Sequence, residues 1–350
     1  MQKELLQYLR CPVTQQTLEL YVIATKTKNY NGTATTIISE GILTSNEWCY
    51  PIINGIPRLL VEAFVQYENF LQKHVIDFEK RKQSIYLHYT GLIQSAINKN
   101  KHTQKSFEQE WNKFDYEKDT TWNAKPTEMF NRFLSETDET VDSIKEKLIF
   151  DAGCGNGLLD TLIANANAKV LAMDFSLCIE TAFAKNSHPN AWYIQGDVQY
   201  PPVALNCFDI VHCSGVLIHT NNPAASFACL VPAVKTNGKL SVWLYHPRKT
   251  FLHNCFNWLR KYSSKWPLKL QYILYFFFLL PPIYIIKKMK GSKQNSREMM
   301  IDLLDWLSPE FRWEITHEVA TTWFQQHKFN TIKITTIELF GFNIIGTNLG

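Results

Sequence analysis

The stretch Asp151-Ala-Gly-Cys-Gly-Asn-Gly157 decides the fold, because it joins an apolar run to a helical one through a glycine-rich turn. The preceding Lys147–Phe150 is typical of a strand, and Leu158–Ala164 has the apolar spacing of a helix. A strand, a glycine-rich turn and a helix start allow the backbone to approach a nucleotide-like ligand closely. Glycines at positions 153, 155 and 157 lack the Cβ atoms that would block this approach.

Two acidic residues follow this loop at the ends of the next two strand-like runs. Asp174 comes 21 positions after Gly153, where its carboxylate is placed to accept hydrogen bonds from both hydroxyls of a ribose. Asp197 ends Gln195-Gly-Asp197, where an adenine amino group is able to donate to it. The spacing differs from the dinucleotide fingerprint G-x-G-x-x-G, because the third glycine comes one position earlier. Together these features predict a site for a nucleotide-like cofactor.

From Leu148 onward, short β-rich runs alternate with stretches of helical length. The predicted strands are Lys147–Phe150, Lys169–Met173, Trp192–Ile194, Phe208–His212 and Lys239–Tyr245. Runs separated in this way are typical of βαβ units around a parallel sheet. Two later runs, Thr331–Thr336 and Phe342–Ile345, are too close for a helix between them, so we expect them to pair antiparallel. The predicted fold class is therefore α/β.

Residues 147–245 resemble the cofactor-binding half of the class I S-adenosylmethionine-dependent methyltransferases. Asp151–Gly157 is similar to the first motif of that family, Met173–Ser176 to its second and Gly196-Asp197 to its third. The run Phe208–Thr220 resembles the fourth-strand motif of members that methylate small molecules. The resemblance implies a methyltransferase with a Rossmann-like, seven-stranded sheet whose last strand is antiparallel, and S-adenosylmethionine as its cofactor.

The same resemblance assigns the cofactor site to the glycine-rich loop and to the ends of the strands that follow it. No metal ligand is expected in this site. The assigned residues are Asp151, Gly153, Cys154, Gly155, Gly157, Asp174, Phe175, Asp197, Val198 and Ser214.

The residues after the fourth strand narrow the choice of acceptor. Family members that methylate adenine or amide nitrogens are similar in carrying Asn/Asp-Pro-Pro-Tyr there, whereas this chain has Cys213–Val216. Cys213 lacks a neighbouring proline or basic activator, so we expect a buried thiol and not the nucleophile of RNA carbon-5 methylation. A net charge of +4 is also well below the concentrated positive charge that is expected of a dedicated nucleic-acid binder. We expect a small-molecule or lipid-linked acceptor, such as a metabolite, quinone-type precursor or glycan intermediate.

Two other functions stay open at this point. One is a non-catalytic cofactor-binding partner or scaffold, which would bind the cofactor without turnover. The other is a tRNA or protein methyltransferase, which would need a continuous basic or peptide-binding groove.

Two histidines are candidate catalytic bases. Methyl transfer from a sulfonium is an in-line displacement, so the protein mainly supplies alignment and a base. His219 follows the fourth strand and His246 ends the fifth, which places both at the carboxyl edge of the sheet, where ligands bind in open α/β folds. A structural role in capping these loops is the alternative for both. His212 lies inside a strand, and we expect it in the core.

An insertion of about residues 247–305 follows the fifth strand. Its centre, Ile273–Ile286, is an apolar run of 14 residues that contains Pro281-Pro282. A spanning helix needs about 20 apolar residues, so we expect no transmembrane helix. The insertion is either a lid over the acceptor site or an interfacial element that contacts a membrane peripherally through residues 266–290. Basic residues flank it on both sides: Arg260, Lys261, Lys265, Lys269, Lys287, Lys288, Lys290 and Lys293.

Residues 1–62 resemble the small zinc-ribbon-like domain of the tRNA-methyltransferase activator family. The resemblance is carried by Leu6-x-x-Leu9-x-Cys11-Pro12 at the start and by Trp48–Pro57 at the end. Tetrahedral zinc usually takes four ligands in paired knuckles, but Thr14 occupies the second position of the first pair and Cys49 stands alone. We therefore expect a small α+β domain that has lost its metal ligands and is held by its apolar core.

The chain divides into the small domain at 1–62, a helical connector at 63–110 and a methyltransferase domain at 111–350. The segment Ser106–Phe114 resembles the one that lies over the cofactor site in related fused methyltransferases. The first ten residues lack the apolar region of a secretory signal, and the eight cysteines are scattered singly. We expect a cytoplasmic protein, peripheral at the membrane if the insertion contacts lipid.

Overall fold

The computed structural model of the chain describes residues 1–113, 126–248 and 250–350. A 3₁₀ helix, Lys3–Tyr8, precedes four strands that each pair antiparallel with the next. The last hairpin turns at Asn54 (φ 54°) and Gly55 (φ 89°), and two consecutive left-handed residues are what a type I′ turn requires. The four strands are β1 (Glu19–Tyr30), β2 (Thr33–Ser45), β3 (Trp48–Ile53) and β4 (Ile56–Leu59).

Four helices connect this unit to the next strands. They are α1 (Ala63–Gln66), α2 (Glu68–His74), α3 (Phe78–Lys113) and α4 (Pro126–Thr137). The long helix α3 is kinked at Tyr89, where φ is −129°. Of the segment expected over the cofactor site, residues 106–113 belong to α3, whereas Phe114 lies outside the described residues.

Five parallel strands follow, and all five were predicted. They are β5 (Leu148–Ala152), β6 (Lys169–Asp174), β7 (Ala191–Gly196), β8 (Phe208–Ser214) and β9 (Val234–Tyr245). The intervening helices are α5 (Leu158–Asn165), α6 (Cys178–Lys185) and α7 (Pro223–Leu230). Strand pairing runs β7-β6-β5-β8-β9, with every neighbour parallel. The carboxyl ends of β5 to β8 therefore meet at one edge of the sheet.

The insertion contributes α8 (Phe251–Ser263), α9 (Leu268–Leu274), a π-helical segment (Tyr275–Leu279), α10 (Leu280–Met289) and α11 (Ser296–Leu307). Three of these elements, α9, the π-helical segment and α10, form one continuous helical stretch. The helices pack around a small apolar core of their own: Tyr275, Leu280, Met299, Met300, Ile301, Leu303, Leu304 and Leu307.

The insertion contains a longer helix than its sequence predicted. Pro281 and Pro282 do not end the helix, because they fall in the first turn of α10, just after the π-helical segment. Within the described residues, Lys269–Met289 is therefore one helix of 21 residues, long and apolar enough to cross a membrane by length and composition alone. Only 17% of its most apolar stretch is buried in the protein.

The chain closes with α12 (His317–Gln326), β10 (Phe329–Ile337) and β11 (Gly341–Asn348). Strand β11 lies between β9 and β10 and is antiparallel to both. The predicted closing hairpin is thus confirmed, and strands β5 to β11 form a seven-stranded unit whose last strand is antiparallel.

The sheet itself has eleven strands, so the predicted total of seven is wrong. Its order is β1-β2-β3-β4-β7-β6-β5-β8-β9-β11-β10. Strand β4 pairs parallel with β7, placing Arg58 beside Gln195 and Leu59 beside Gly196. The edge of β7 would otherwise present unpaired N–H and C=O groups, and β4 satisfies them. Residues 1–62 are consequently continuous with the main sheet.

Candidate functional site

The glycine-rich loop is held in a backbone conformation that favours glycine. The φ angles are 110° at Gly153, 56° at Gly155 and 72° at Gly157. A Cβ at Gly153 would lie 2.1 Å from Val216 Cγ2, and one at Gly157 would lie 2.7 Å from the Tyr193 ring. We expected these glycines to clear space for a ligand. At 153 and 157 the close neighbour is instead the protein, so glycine is required for the loop to pack.

Asp174 lies in direct contact with the loop, as the sequence predicted for two parts of one site. Its Oδ2 accepts a hydrogen bond from the Gly155 N–H at 2.9 Å, and its Oδ1 accepts from the N–H and hydroxyl of Ser176, each at 2.8 Å. Burial raises the pKa of the Asp174 carboxyl, against the opposing effect of these hydrogen bonds. With the Cys178 thiol as a further hydrogen-bond partner, these donors fill most of the roughly four lone-pair sites of the carboxylate.

The remaining predicted cofactor residues lie at the same sheet edge. The β6–β7 register sets Asp174 opposite Gln195, whose side-chain amide donates to the Phe175 carbonyl at 3.1 Å. Asp197 is buried two residues further on, and its Oδ1 accepts from the Gln199 N–H at 2.9 Å. Val198 is buried beside Asp197, and Ser214 ends β8. Cys154 lies inside the loop, where burial raises the pKa of its thiol well above the usual range.

The chemistry of this edge fits the implied cofactor. Asp174 ends β6 and Asp197 follows β7, and the loop from 151 to 157 contains no Lys or Arg. Such an edge disfavours a pyrophosphate and is compatible with a cationic sulfonium. Asp174 and Asp197 are the two carboxylates that would meet the ribose hydroxyls and the adenine amino group of such a cofactor. These residues would therefore hold S-adenosylmethionine.

A buried polar network beneath the loop was missed by the sequence reasoning, which placed His212 in the core without partners. His212 Nδ1 lies 2.8 Å from Asp151 Oδ1, and its Nε2 lies 2.9 Å from Glu136 Oε2. Burial alone would lower the pKa of His212, but the two carboxylates outweigh it and raise the pKa to about 10. Arg132 pairs with the outer side of Glu136 at 2.7 Å. The imidazolium is therefore the cation between two carboxylates.

Asp160, in the first turn of α5, completes this network. Its side chain is fully buried, and burial together with the neighbouring Asp151 carboxylate raises its pKa well above the usual range. The raised pKa favours the protonated form of Asp160. A polar residue at a buried position of a strand, as His212 is in β8, was the sequence signal that could have revealed these partners.

His219 is buried where the insertion returns to the sheet. Its Nδ1 lies 2.9 Å from the Phe311 carbonyl oxygen, so Nδ1–H donates and the lone pair is on Nε2. Burial, with a smaller contribution from Arg312 and Arg260, lowers the pKa of His219 to about 4. The ring meets the Tyr245 ring edge-on at 6.0 Å. His219 is consequently a neutral imidazole at the carboxyl edge of the sheet.

His246 contacts a different part of the chain. Its backbone N–H donates to the Phe340 carbonyl at 3.1 Å, and its Nε2–H donates to the Leu339 carbonyl at 3.0 Å. Both bonds tie the end of β9 to the turn between β10 and β11. His219 and His246 therefore bond to different carbonyl groups, those of Phe311 and Leu339. The bonds of His246 are those of a residue that caps the end of a strand.

The segment that follows the insertion is bonded to the residues after β8 and to the end of β9. The Trp313 N–H donates to the Ile218 carbonyl at 3.0 Å, and its indole N–H donates to the Thr220 carbonyl at 3.0 Å. The Ile315 N–H donates to the Tyr245 carbonyl at 2.8 Å. Trp313 and Ile315, which follow the insertion, are thus bonded to the segment after β8 and to the end of β9, where the acceptor is expected.

The N-terminal unit reaches the cofactor edge through Arg58. This arginine is buried, lies 2.5 Å from Glu180 Oε1, and donates to Gln195 Oε1 at 3.3 Å. The Tyr67 hydroxyl donates to the same Gln195 oxygen at 2.7 Å. Because the Gln195 amide in turn donates to the Phe175 carbonyl, Arg58 and Tyr67 indirectly hold the second motif, Met173–Ser176, in place.

The two N-terminal cysteines, Cys11 and Cys49, are both buried and neither forms a disulfide. Cys11 Sγ lies 3.1 Å from the Tyr50 hydroxyl, and burial raises the pKa of Cys49 to about 12. Among the described residues, His, Cys, Asp and Glu form no group of three or more with the geometry of a metal site. That this unit is free of metal stays a prediction from its sequence.

Residues 150–242 match a protein family described as a methyltransferase domain. This range contains the glycine-rich loop, both downstream carboxylates and His219. The chain therefore contains a methyltransferase domain. At the level of this domain, the predicted enzyme class, an S-adenosylmethionine-dependent methyltransferase, and its cofactor are confirmed.

Similar proteins act in quinone biosynthesis, as their names state. The chain is 33% identical over 114 residues to the mitochondrial ubiquinone biosynthesis O-methyltransferase of Schizosaccharomyces pombe, covering 31% of this chain and 41% of that protein. It is 32% identical over 104 residues to the demethylmenaquinone methyltransferase of Renibacterium salmoninarum, covering 30% and 44%. The chain thus spans less than half the length of each. The magnesium protoporphyrin IX methyltransferase of Synechocystis with bound SAM is 13% identical, covering 71% of this chain and 97% of that one, with a TM-score of 0.43.

Proposed function

We propose that the chain methylates a small apolar acceptor, with a quinone-type ring precursor or another lipid-linked intermediate as the substrate class. The observation that carries methyl transfer is the contact between the glycine-rich loop and Asp174, at 2.9 Å, within the matched domain. The names of the two relatives, which concern ubiquinone and demethylmenaquinone, support the acceptor class.

Different residues at the sheet edge are proposed to bind the cofactor and the acceptor. When bound, the cofactor supplies an electrophilic methyl group on its sulfonium. Asp174 and Asp197 hold the adenosine part, and the loop fixes its position by packing against Val216 and Tyr193. The protein's main contribution is to orient the acceptor atom in line with the methyl group.

His219 is the proposed general base. Its Nδ1–H donates to the Phe311 carbonyl, which holds the ring at the carboxyl edge of the sheet, where an acceptor hydroxyl would bind. The lowered pKa keeps the ring neutral at physiological pH. His246 remains the second candidate, with its bonds to the turn after β10 favouring a positioning role.

The insertion is proposed to cover the acceptor and to keep water out. The bonds from Trp313 and Ile315 to the segment after β8 and to the end of β9 support this role, because they hold the chain that follows the insertion at the acceptor end of the site. A peripheral membrane contact through residues 266–290 belongs to the same proposal, since acceptors of this class partition into bilayers. We place the protein in the cytoplasm, at the membrane surface.

The test is methyl transfer from S-adenosylmethionine labelled in its methyl group. Purified full-length chain is incubated with a panel of hydroxylated quinone precursors and with a total lipid extract, and labelled products are identified by mass spectrometry. Asp174→Ala should abolish both cofactor binding and label transfer, while Asp142→Ala, an exposed carboxylate, should change neither. Cofactor binding by calorimetry without label transfer to any lipid or quinone acceptor would contradict the proposal and favour a non-catalytic scaffold.

A further inference from the structure

The helical stretch from α9 to α10 presents large apolar side chains to solvent. Phe277 is 66% exposed, Phe278 71% and Met289 83%, and Phe276, Tyr284, Ile285 and Ile286 are exposed as well. We call these seven side chains, together with the exposed lysines around them, the apolar-basic surface. Monomeric proteins rarely expose so many large apolar side chains along one helix unless a partner covers them.

The charge of this region is of one sign. Residues 251–297 contain nine Lys and Arg and no Asp or Glu, whereas the rest of the chain contains 27 Lys and Arg against 32 Asp and Glu. The basic residues therefore concentrate on the insertion in an otherwise acidic chain. Those that are exposed and belong to the apolar-basic surface are Lys261, Lys265, Lys269, Lys288, Lys290 and Lys293.

The opposite face of the same helical stretch is attached to the protein. The Tyr275 hydroxyl donates to Ser263 Oγ of α8 at 2.7 Å, and Lys287 Nζ lies 2.7 Å from Asp302 Oδ2 of α11. Leu280 packs into the apolar core that α11 forms beneath it. A membrane-spanning orientation would break these contacts and expose Asp302 to lipid. An orientation parallel to the membrane plane keeps all of them.

We infer that the apolar-basic surface binds the face of a bilayer that contains anionic phospholipids, with helix 269–289 lying in the plane of the interface. Exposed aromatic and aliphatic side chains enter the boundary of the acyl chains, and the surrounding lysines meet the headgroups. A second copy of this chain is a poorer occupant, because two surfaces of the same positive charge repel each other. Nucleic acid would pair with the lysines but leave Phe277 and Phe278 uncovered.

The biological role of this docking rests on the proposed function, whereas the orientation of the helix at the membrane is inferred from the apolar-basic surface alone. Arg260 in α8 donates to the Glu310 carbonyl at 3.2 Å, next to the segment that covers His219. The surface and the acceptor end of the site are thus parts of one insertion. Docking in the plane of the bilayer would bring that end to the place where a lipid-linked acceptor resides.

The test is co-sedimentation of the full-length chain with vesicles, without cofactor or acceptor. Vesicles of phosphatidylcholine containing phosphatidylglycerol should bind the chain, vesicles of phosphatidylcholine alone should bind it weakly, and high salt should release it. Phe277→Ser/Phe278→Ser should weaken partitioning at least about tenfold, because two large apolar groups no longer enter the interface. The matched control Ile76→Ser/Leu87→Ser, which also removes two exposed apolar side chains, should leave binding unchanged.

A second pair of variants tests the charges. Lys265→Gln/Lys269→Gln should weaken binding by about fivefold for each lysine removed, whereas Lys73→Gln/Lys80→Gln in α2 and α3 should not. The inference would be overturned if the chain bound neutral vesicles equally well or if either control variant lost binding. Retention on the vesicles after washing with high salt and alkali would also overturn it. A dimer abolished by Phe277→Ser/Phe278→Ser would assign the surface to a second copy instead. Failure of methyl transfer alone would count against the proposed function and leave the vesicle result standing.

Discussion

His212 Nδ1 lies 2.8 Å from Asp151 Oδ1, directly beneath the glycine-rich loop, and both side chains are buried. The contact joins β8 to the end of β5, and the second ring nitrogen extends it to Glu136 of α4. Three elements distant in sequence therefore meet at one buried imidazolium. Asp151 is the first residue of the glycine-rich loop, so this network lies at the base of the candidate cofactor site.

Replacing His212 should destabilise the fold strongly. In His212→Asn the Asp151 and Glu136 carboxylates lose the cation between them, and breaking a buried ion pair in this way costs about 3–5 kcal/mol. Chemical denaturation followed by circular dichroism measures the free energy of unfolding. The exposed His88→Asn is the control and should change it by less than about 0.5 kcal/mol. Equal losses for the two variants would mean that the network contributes little.

The titrations of His212 and His219 should lower stability on the alkaline and the acid side of about pH 6.5, respectively. The folded pKa of His212 is about 10, above its unfolded value, so its contribution is complete below about pH 6.5 and is lost as the pH rises through 10. The folded pKa of His219 is about 4, below its unfolded value, so stability is lost as the pH falls from 6.5 through 4. Each slope is at most about 1.4 kcal/mol per pH unit.

Unfolding measured from pH 4 to pH 10 checks both signs. The alkaline slope should be shallower in His212→Asn, and the acid slope should be shallower in His219→Asn. Carboxylates such as Glu136, whose pKa is lowered in the folded state by His212 and Arg132 against the effect of burial, add to the acid slope only. An unchanged alkaline slope in His212→Asn would contradict the raised pKa.

The loop glycine at position 153 offers a double-mutant test of packing. Gly153→Ala should be destabilising for two reasons: a φ of 110°, which L residues rarely adopt, and a Cβ 2.1 Å from Val216 Cγ2. Shortening the neighbour in Gly153→Ala/Val216→Ala should remove the second cost and recover part of the loss. Thermal unfolding of the four proteins in the cycle gives the coupling energy. Strictly additive losses would show that backbone strain alone explains the glycine.

What the sequence predicted well was local. Strands β5 to β9 follow from short apolar runs, and the contact of Asp174 with the loop follows from strand order, because consecutive parallel strands end at the same edge. The pairing of β4 with β7 could not be predicted, since a strand edge leaves no periodic pattern in the sequence. The partnership of His212 with Glu136 joins residues 76 positions apart, and only the structure sets that distance. Pro281 and Pro282 suggested a shorter helix because the sequence alone does not show that they fall in the first turn of α10, where proline is tolerated.

Arg58 should connect the N-terminal unit to cofactor affinity. In Arg58→Met, Gln195 keeps the Tyr67 hydroxyl but loses the guanidinium, so the amide that holds the Phe175 carbonyl becomes less constrained. We expect S-adenosylmethionine binding, measured by calorimetry, to weaken by about tenfold, the scale of one charge-assisted hydrogen bond. Arg10→Met, whose side chain bonds only to nearby backbone carbonyls, is the matched control. Unchanged affinity in Arg58→Met would confine the arginine to a structural role.

The two candidate bases should separate in their kinetics. His219→Ala should lower kcat by about 10²–10⁴, the usual contribution of a general base, with little change in cofactor affinity. His246→Ala, which removes the bond to the Leu339 carbonyl, should act through KM or stability instead. For the unmodified chain, kcat/KM should be flat above about pH 5 and fall as the pH drops through 4, because the pKa of His219 is about 4. Loss of turnover in His246→Ala together with full turnover in His219→Ala would reverse the two roles.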